Sequence, residues 1–219
     1  MFTWPRKNLT TRGFLAGVFF AAAAVACNGQ ASPTAPDGSV PVVVAFGDSL
    51  TSGPGLRPQE TYPSLLQKRI SDVGRNYHVV NAGVSGDTSS QGLARFDAAL
   101  VPGTQILVLA IGINDGLRGI PIETVDRNLS TMIERAQARG IKVLLCAMEA
   151  PPVKGFNYSV EFHRLFTSLS ERYHLPLVPF FLLGIITNEG LDLNETLHPT
   201  ATGHKVIADA VWPYLRPML

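Results

Sequence analysis

Two kinds of apolar pattern alternate along this chain. Short apolar runs read as strands: Val42–Phe46, Tyr77–Val80, Ile106–Ile111, Ile141–Met148 and Leu177–Val178, of which the unbroken Ile106–Ile111 is the kind buried on both faces. Between them, apolar residues recur three and four apart. Leu65, Leu66 and Ile70 share one face of a helix over Tyr62–Ile70. Asp87-Thr88-Ser89-Ser90 offers caps for a helix through Leu100, and Pro121 opens a helix that Gly140 closes. Tyr158–Tyr173 and Thr200–Leu215 complete the set, the last with Val206, Ile207, Ala210 and Val211 as its apolar positions. Strands thus alternate with helices from end to end. That order predicts an α/β fold, a three-layer α/β/α sandwich around a central parallel sheet. It predicts one domain over residues 41–219, with no internal repeat.

The first 40 residues break this rhythm. Arg6, Lys7 and Arg12 precede an apolar run, Gly13–Ala26, which is short for a bilayer span and suits the core of a secretory signal. Ala24-Val25-Ala26 fits the small-x-small rule for cleavage before Cys27. The same residues resemble a bacterial lipobox with Cys27 as the lipidated position, although Ala24 stands where Leu or Val is usual. Residues 1–27 are therefore expected to be a signal peptide, of lipoprotein type or simply cleaved. The protein would be periplasmic, or anchored to the bacterial cell envelope through a lipid on Cys27. Residues 28–40, rich in Gly, Ser, Pro and Ala, read as a flexible linker.

Charge and composition narrow the partners. The formal net charge is +1 and the body has no basic cluster, so nucleic acid is not expected. The two cysteines, Cys27 and Cys146, give no disulfide framework, and Cys146 falls in a strand as a small hydrophobe. His78, His163 and His174 are scattered without metal-ligand spacing, so no zinc site is assigned.

Four polar blocks interrupt the apolar rhythm. Gly47-Asp48-Ser49-Leu50, Gly83-Val84-Ser85-Gly86-Asp87-Thr88 and Gly112-Ile113-Asn114-Asp115 follow the first three strands. Glu195-Thr196-Leu197-His198-Pro199 precedes the last helix. In a parallel sheet the first three blocks converge on one edge, where open α/β sheets hold ligands. Ser49 is then the candidate nucleophile and His198 its base. Glu195 is the candidate acid that orients His198, with Asp192 in reserve. The Ser49 and Gly86 backbone N–H groups and the Asn114 side-chain amide can form an oxyanion hole. Asp48 reads as a turn acceptor or a substrate contact, and Asp115 as a residue that orients its loop. His204 reads as a helix-packing or surface residue. The stretch from Glu149 to Tyr158 reads as a long loop whose Phe156 and Tyr158 either contact an acyl or aryl group or merely cover the core.

These blocks, in this order, resemble the SGNH (GDSL) hydrolase family over the whole domain. The likeness is strongest to its bacterial acyl-thioesterase/lysophospholipase and arylesterase branch, through Asn81–Arg95 and Asn114–Gly119. The resemblance implies a flavodoxin-like sheet, no metal or other cofactor, and a covalent acyl-enzyme. It puts the family's serine, glycine, asparagine and histidine on Ser49, Gly86, Asn114 and His198. Two positions depart from the pattern. Glu195 stands where the family has Asp, and Ile113 stands where the branch has Gly and could line or narrow the pocket. The expected function is a monomeric serine esterase acting on a small carboxylic ester or thioester, of short acyl, aryl or lysophospholipid type. A carbohydrate O-deacetylase and a non-catalytic binding lipoprotein on the same scaffold are the alternatives.

Overall fold

The computed structural model describes residues 40–182 and 198–219. Among them five strands form one parallel sheet: β1 (Val42–Gly47), β2 (His78–Gly83), β3 (Thr104–Ala110), β4 (Lys142–Cys146) and β5 (Leu177–Val178). Their order is β2-β1-β3-β4-β5. The helices are α1 (Ser49–Ser52), α2 (Tyr62–Asp72), α3 (Ser89–Ala99), α4 (Ile113–Arg118), α5 (Ile122–Ala138), α6 (Phe156–Tyr173) and α7 (Ala201–Leu215). α3 packs on α5 and α5 on α6, while α2 pairs with α7. Right-handed crossovers explain this division. The step from β1 to β2 runs one way along the sheet and every later step runs the other, so the helices fall on opposite faces. The result is the three-layer α/β/α sandwich.

Burial explains the unbroken strand runs. Every residue of β1 is buried, as is β3 from Ile106 onward, because helices cover both faces. α5 contributes Val125, Leu129, Met132, Ile133 and Ala136 to this core, and α7 contributes Ile207, Ala208, Val211 and Leu215.

Three local features differ from the sequence expectation. β2 runs on to Gly83 because it stays in register with β1 as far as Gly47. The blocks after β1 and β3 wind into the short helices α1 and α4 rather than plain turns. α6 begins at Phe156, so Phe156 and Tyr158 lie on its first turn and not in a loop; a 3-10 turn from Pro152 and a reversal at Gly155, φ +101°, bring the chain there.

The strand order reverses between β1 and β3. The crevice outside the carboxyl ends of strands at such a point is where α/β sheets bind ligands.

Candidate active site

β1 ends at Gly47 and the chain turns at once into α1. Asp48 caps the turn, its Oδ1 accepting the Leu50 N–H at 3.0 Å. Ser49 is the first residue of α1 and is 7% exposed. Alongside, a Cβ on Gly83 would lie 2.3 Å from the Ser52 nitrogen and 2.8 Å from the Thr51 carbonyl carbon. α1 therefore rests its backbone on the end of β2, an approach only glycine permits. Hydroxyl bonds hold α1 on either side, Thr51 to Tyr62 at 3.1 Å and Ser52 to Ser85 at 2.9 Å.

The loop after β2 carries Gly86 at φ +84°. A Cβ there would meet nothing within 4 Å, so the need for glycine lies in the backbone angle, and the space beside it is open. α4 reaches this loop from β3. Asn114 Nδ2 donates to the Asp87 carbonyl at 3.0 Å, and Arg118 Nη2 donates to the Gly86 carbonyl at 2.9 Å. A side-chain amide has two N–H donors; one fixes the Asn114 plane, and the second has no acceptor among the described residues. Next to it, Asp115 is fully buried and accepts from both the N–H and the hydroxyl of Ser89, each at 2.7 Å. Asn128 of α5 donates to the Ser89 and Ser90 hydroxyls at 2.9 and 2.8 Å. Asp115 thus orients the Asn114 segment by hydrogen bonds. Burial raises its carboxyl above the usual range, and the Ser89 bonds oppose that rise.

Asp48 is fully buried beneath the turn it caps, and its Oδ2 has no partner among the described residues. Burial pushes its carboxyl up to about 7; the Leu50 N–H opposes the rise and the charges of Asp115 and Asp87 add to it.

α7 starts behind Thr200, whose hydroxyl accepts the Gly203 N–H at 3.3 Å. His198 stands two residues before this cap and is half-buried. His204, one turn into the helix, is fully buried, so it is a packing residue and not a surface one. Its Nδ1 accepts the Tyr62 N–H at 3.0 Å and its ring stacks on Tyr62, centroids 6.2 Å apart. Burial holds its pKa down, to about 4. A Cβ on Gly53, the C-cap of α1, would lie 3.5 Å from His204 Cε1. The first turns of α7 therefore lie beside the Ser49 helix.

Three candidates, Glu195, Asp192 and Cys27, lie outside the described residues. Ile113 is packed against the core at the start of α4 and is as little exposed as Ser49. The Tyr158 hydroxyl is committed to the Ile120 and Asp115 carbonyls at 2.8 and 3.3 Å, so Tyr158 braces α4. Phe156 is 76% exposed at the start of α6. Sequence reading missed Ser89, Asn128 and Arg95 as supports of the site. Ser89 and Arg95 lie in the Asn81–Arg95 run that carries the family resemblance, which gives neither a role, and no motif marks Asn128. Among the described residues no group of His, Cys, Asp and Glu side chains could hold a metal ion.

The model of the GDSL-like lipase/acylhydrolase family matches residues 45–206. The chain belongs to the SGNH (GDSL) hydrolase family. This GDSL hydrolase is 39% identical to esterase TesA of Pseudomonas aeruginosa over 178 residues, 81% of this chain and 89% of the relative. It is 30% identical to thioesterase 1/protease 1/lysophospholipase L1 of Escherichia coli K12 over 178 residues, 81% of this chain and 84% of the relative. Its fold matches a crystal structure of TesA with a TM-score of 0.77 at 38% identity, covering 81% of this chain and 99% of that one. The GDSL hydrolase is an enzyme that cleaves ester bonds, and the deacetylase and non-catalytic readings are not favoured.

Proposed function

We propose that the enzyme hydrolyses small carboxylic esters and thioesters through an acyl-enzyme on Ser49. One observation carries this reading. A serine stands at the carboxyl end of β1, with the Gly86 N–H, beside which the space is open, and the Asn114 amide brought in from the two neighbouring strands. His198 takes the Ser49 proton as the acyl bond forms and returns it to the leaving alcohol or thiol. Water, deprotonated by the same imidazole, then releases the acid. Glu195 orients the imidazole, with Asp192 in reserve. The Ser49 and Gly86 N–H groups and the second Asn114 N–H stabilise the oxyanion that forms in both steps. The names of the relatives support ester and thioester substrates, lysophospholipids included. The exposed Phe156 ring suits an acyl or aryl contact at the mouth. Ser49→Ala is expected to abolish nitrophenyl ester hydrolysis and fluorophosphonate labelling while the melting temperature holds. Undiminished turnover in that variant would overturn the mechanism.

The same proposal extends to location. The charged start, apolar run and Ala26-Cys27 junction support export with a lipid on Cys27, behind a flexible tether. Cys27→Ala should move the protein from the membrane to the soluble fraction. A wild-type protein that takes up no palmitate analogue would leave a soluble exported enzyme instead.

A further inference from the structure

α3 carries a cation that the esterase reading leaves without a task. The Arg95 side chain is 25% exposed, and its guanidinium is engaged on every side. Nε donates to Asp87 Oδ2 at 2.6 Å, Nη1 to the Ala82 carbonyl at 2.9 Å and Nη2 to the Gly47 carbonyl at 2.8 Å. Its plane covers the buried Phe46 ring, 4.2 Å from the centroid.

The three acceptors are informative because of what each one precedes. The Gly47 carbonyl belongs to the peptide that enters the Asp48–Ser49 turn. The Ala82 carbonyl lies one residue before the end of β2. Asp87 follows Gly86 directly, and its carbonyl holds Asn114 Nδ2. The ladder between β1 and β2 ends at Gly47 and Gly83. Beyond it the Val84 N–H to the Gly47 carbonyl, at 3.0 Å, is the backbone bond that still joins the two segments. Arg95 therefore clamps the chain where sheet pairing stops and the three polar blocks diverge. A guanidinium suits this task because its donors sit in a rigid planar fork, whereas an ammonium is a single point on a flexible stem.

We infer that Arg95 is a positioning residue for ester hydrolysis, setting the spacing between the Ser49 turn, the Gly86 N–H and the Asn114 amide. This inference rests on the reading of those three groups as nucleophile and oxyanion donors. Arg95 touches neither substrate nor reacting atom. Its effect falls on the transition state, because the donors must meet an oxygen whose charge develops only there. A misplacement of about 1 Å in such an arrangement costs on the order of 100-fold in rate.

The test compares Arg95→Ala and Arg95→Lys with the wild-type enzyme on a nitrophenyl ester, with active serines counted by fluorophosphonate titration run to completion. Per titrated serine, kcat should fall about 100-fold in R95A and about tenfold in R95K, with KM within about threefold. Millimolar methylguanidine should restore part of the R95A rate and none of the rate lost in Asn114→Ala. A purely structural Arg95 would lower the melting temperature or the titratable fraction and leave kcat per serine unchanged, and that result overturns the inference. Should R95A fail to fold, R95K decides by the same criterion, since it keeps a positive charge beside Asp87 and loses the fork. Failure of the underlying site reading shows separately, as retained turnover in Ser49→Ala.

Discussion

His198 and His204 flank the Thr200 cap and have opposite surroundings. His198 precedes the cap and is half-buried. His204 lies inside α7, fully buried, with one nitrogen spent on the Tyr62 N–H and the other unpartnered. A neutral imidazole fits such a place because ionising it would put an uncompensated charge in the core. Asn114 and Asp115 repeat the contrast at adjacent positions. One keeps an N–H in reserve, and the other is closed into the Ser89 network. In both pairs the fully buried residue holds the fold, and its less buried neighbour is the one assigned to the chemistry.

The largest test of this contrast removes each histidine in turn. His198→Ala should lower kcat roughly 10⁴- to 10⁶-fold, the scale seen when a triad base is deleted, with little change in melting temperature. His204→Leu should do the reverse, leaving kcat of the folded enzyme within a few-fold. A crippled His204→Leu that keeps its melting temperature would reverse the two assignments.

A smaller effect separates the second pair. Asn114→Ala should cost about 100- to 1000-fold in kcat with KM nearly unchanged, as loss of one oxyanion donor does. Asp115→Asn should show itself in thermal stability, because it puts an amide where a buried carboxylate accepts two bonds. A loss confined to KM in the Asn114 variant would make that residue a binding or turn element.

The smallest effect is a pair of opposed pH slopes. His204 is held near 4 in the fold, below its ordinary value, so the unfolded chain takes up a proton that the folded chain refuses. Its contribution to stability is present above about 6.5 and is lost as pH falls toward 4. Asp48 is held near 7, above its ordinary value, so the folded chain keeps a proton that the unfolded chain gives up. Its contribution is present below about 4 and is lost as pH rises through 7. Between pH 4 and 6.5 the two slopes oppose each other. Urea unfolding across that range should therefore show stability rising with pH in Asp48→Asn and falling with pH in His204→Leu, each by a kcal/mol or more. Parallel profiles for both variants and the wild type would show that neither group titrates with folding.

The sequence by itself determined the class of fold, the order of strands and helices, and the four polar blocks. Each of these is written locally. An apolar run such as Ile106–Ile111 needs cover on both faces wherever it lies, and Ser49, Gly86, Asn114 and His198 stand in motifs readable as strings. The tertiary structure decided which side chains face the crevice and which support it. No local pattern tells that Asp48 is sealed beneath its own turn, that Ile113 packs inward, or that the Tyr158 hydroxyl braces α4. Arg95 shows the reason most directly. Two of its acceptors, Ala82 and Asp87, are near it in the chain, but the third, Gly47, lies 48 residues away and joins them only where β1 and β2 end side by side under α3. A hydrogen bond between residues far apart in sequence has no signature in either neighbourhood, because it exists only after the packed sheet has set the distance between them.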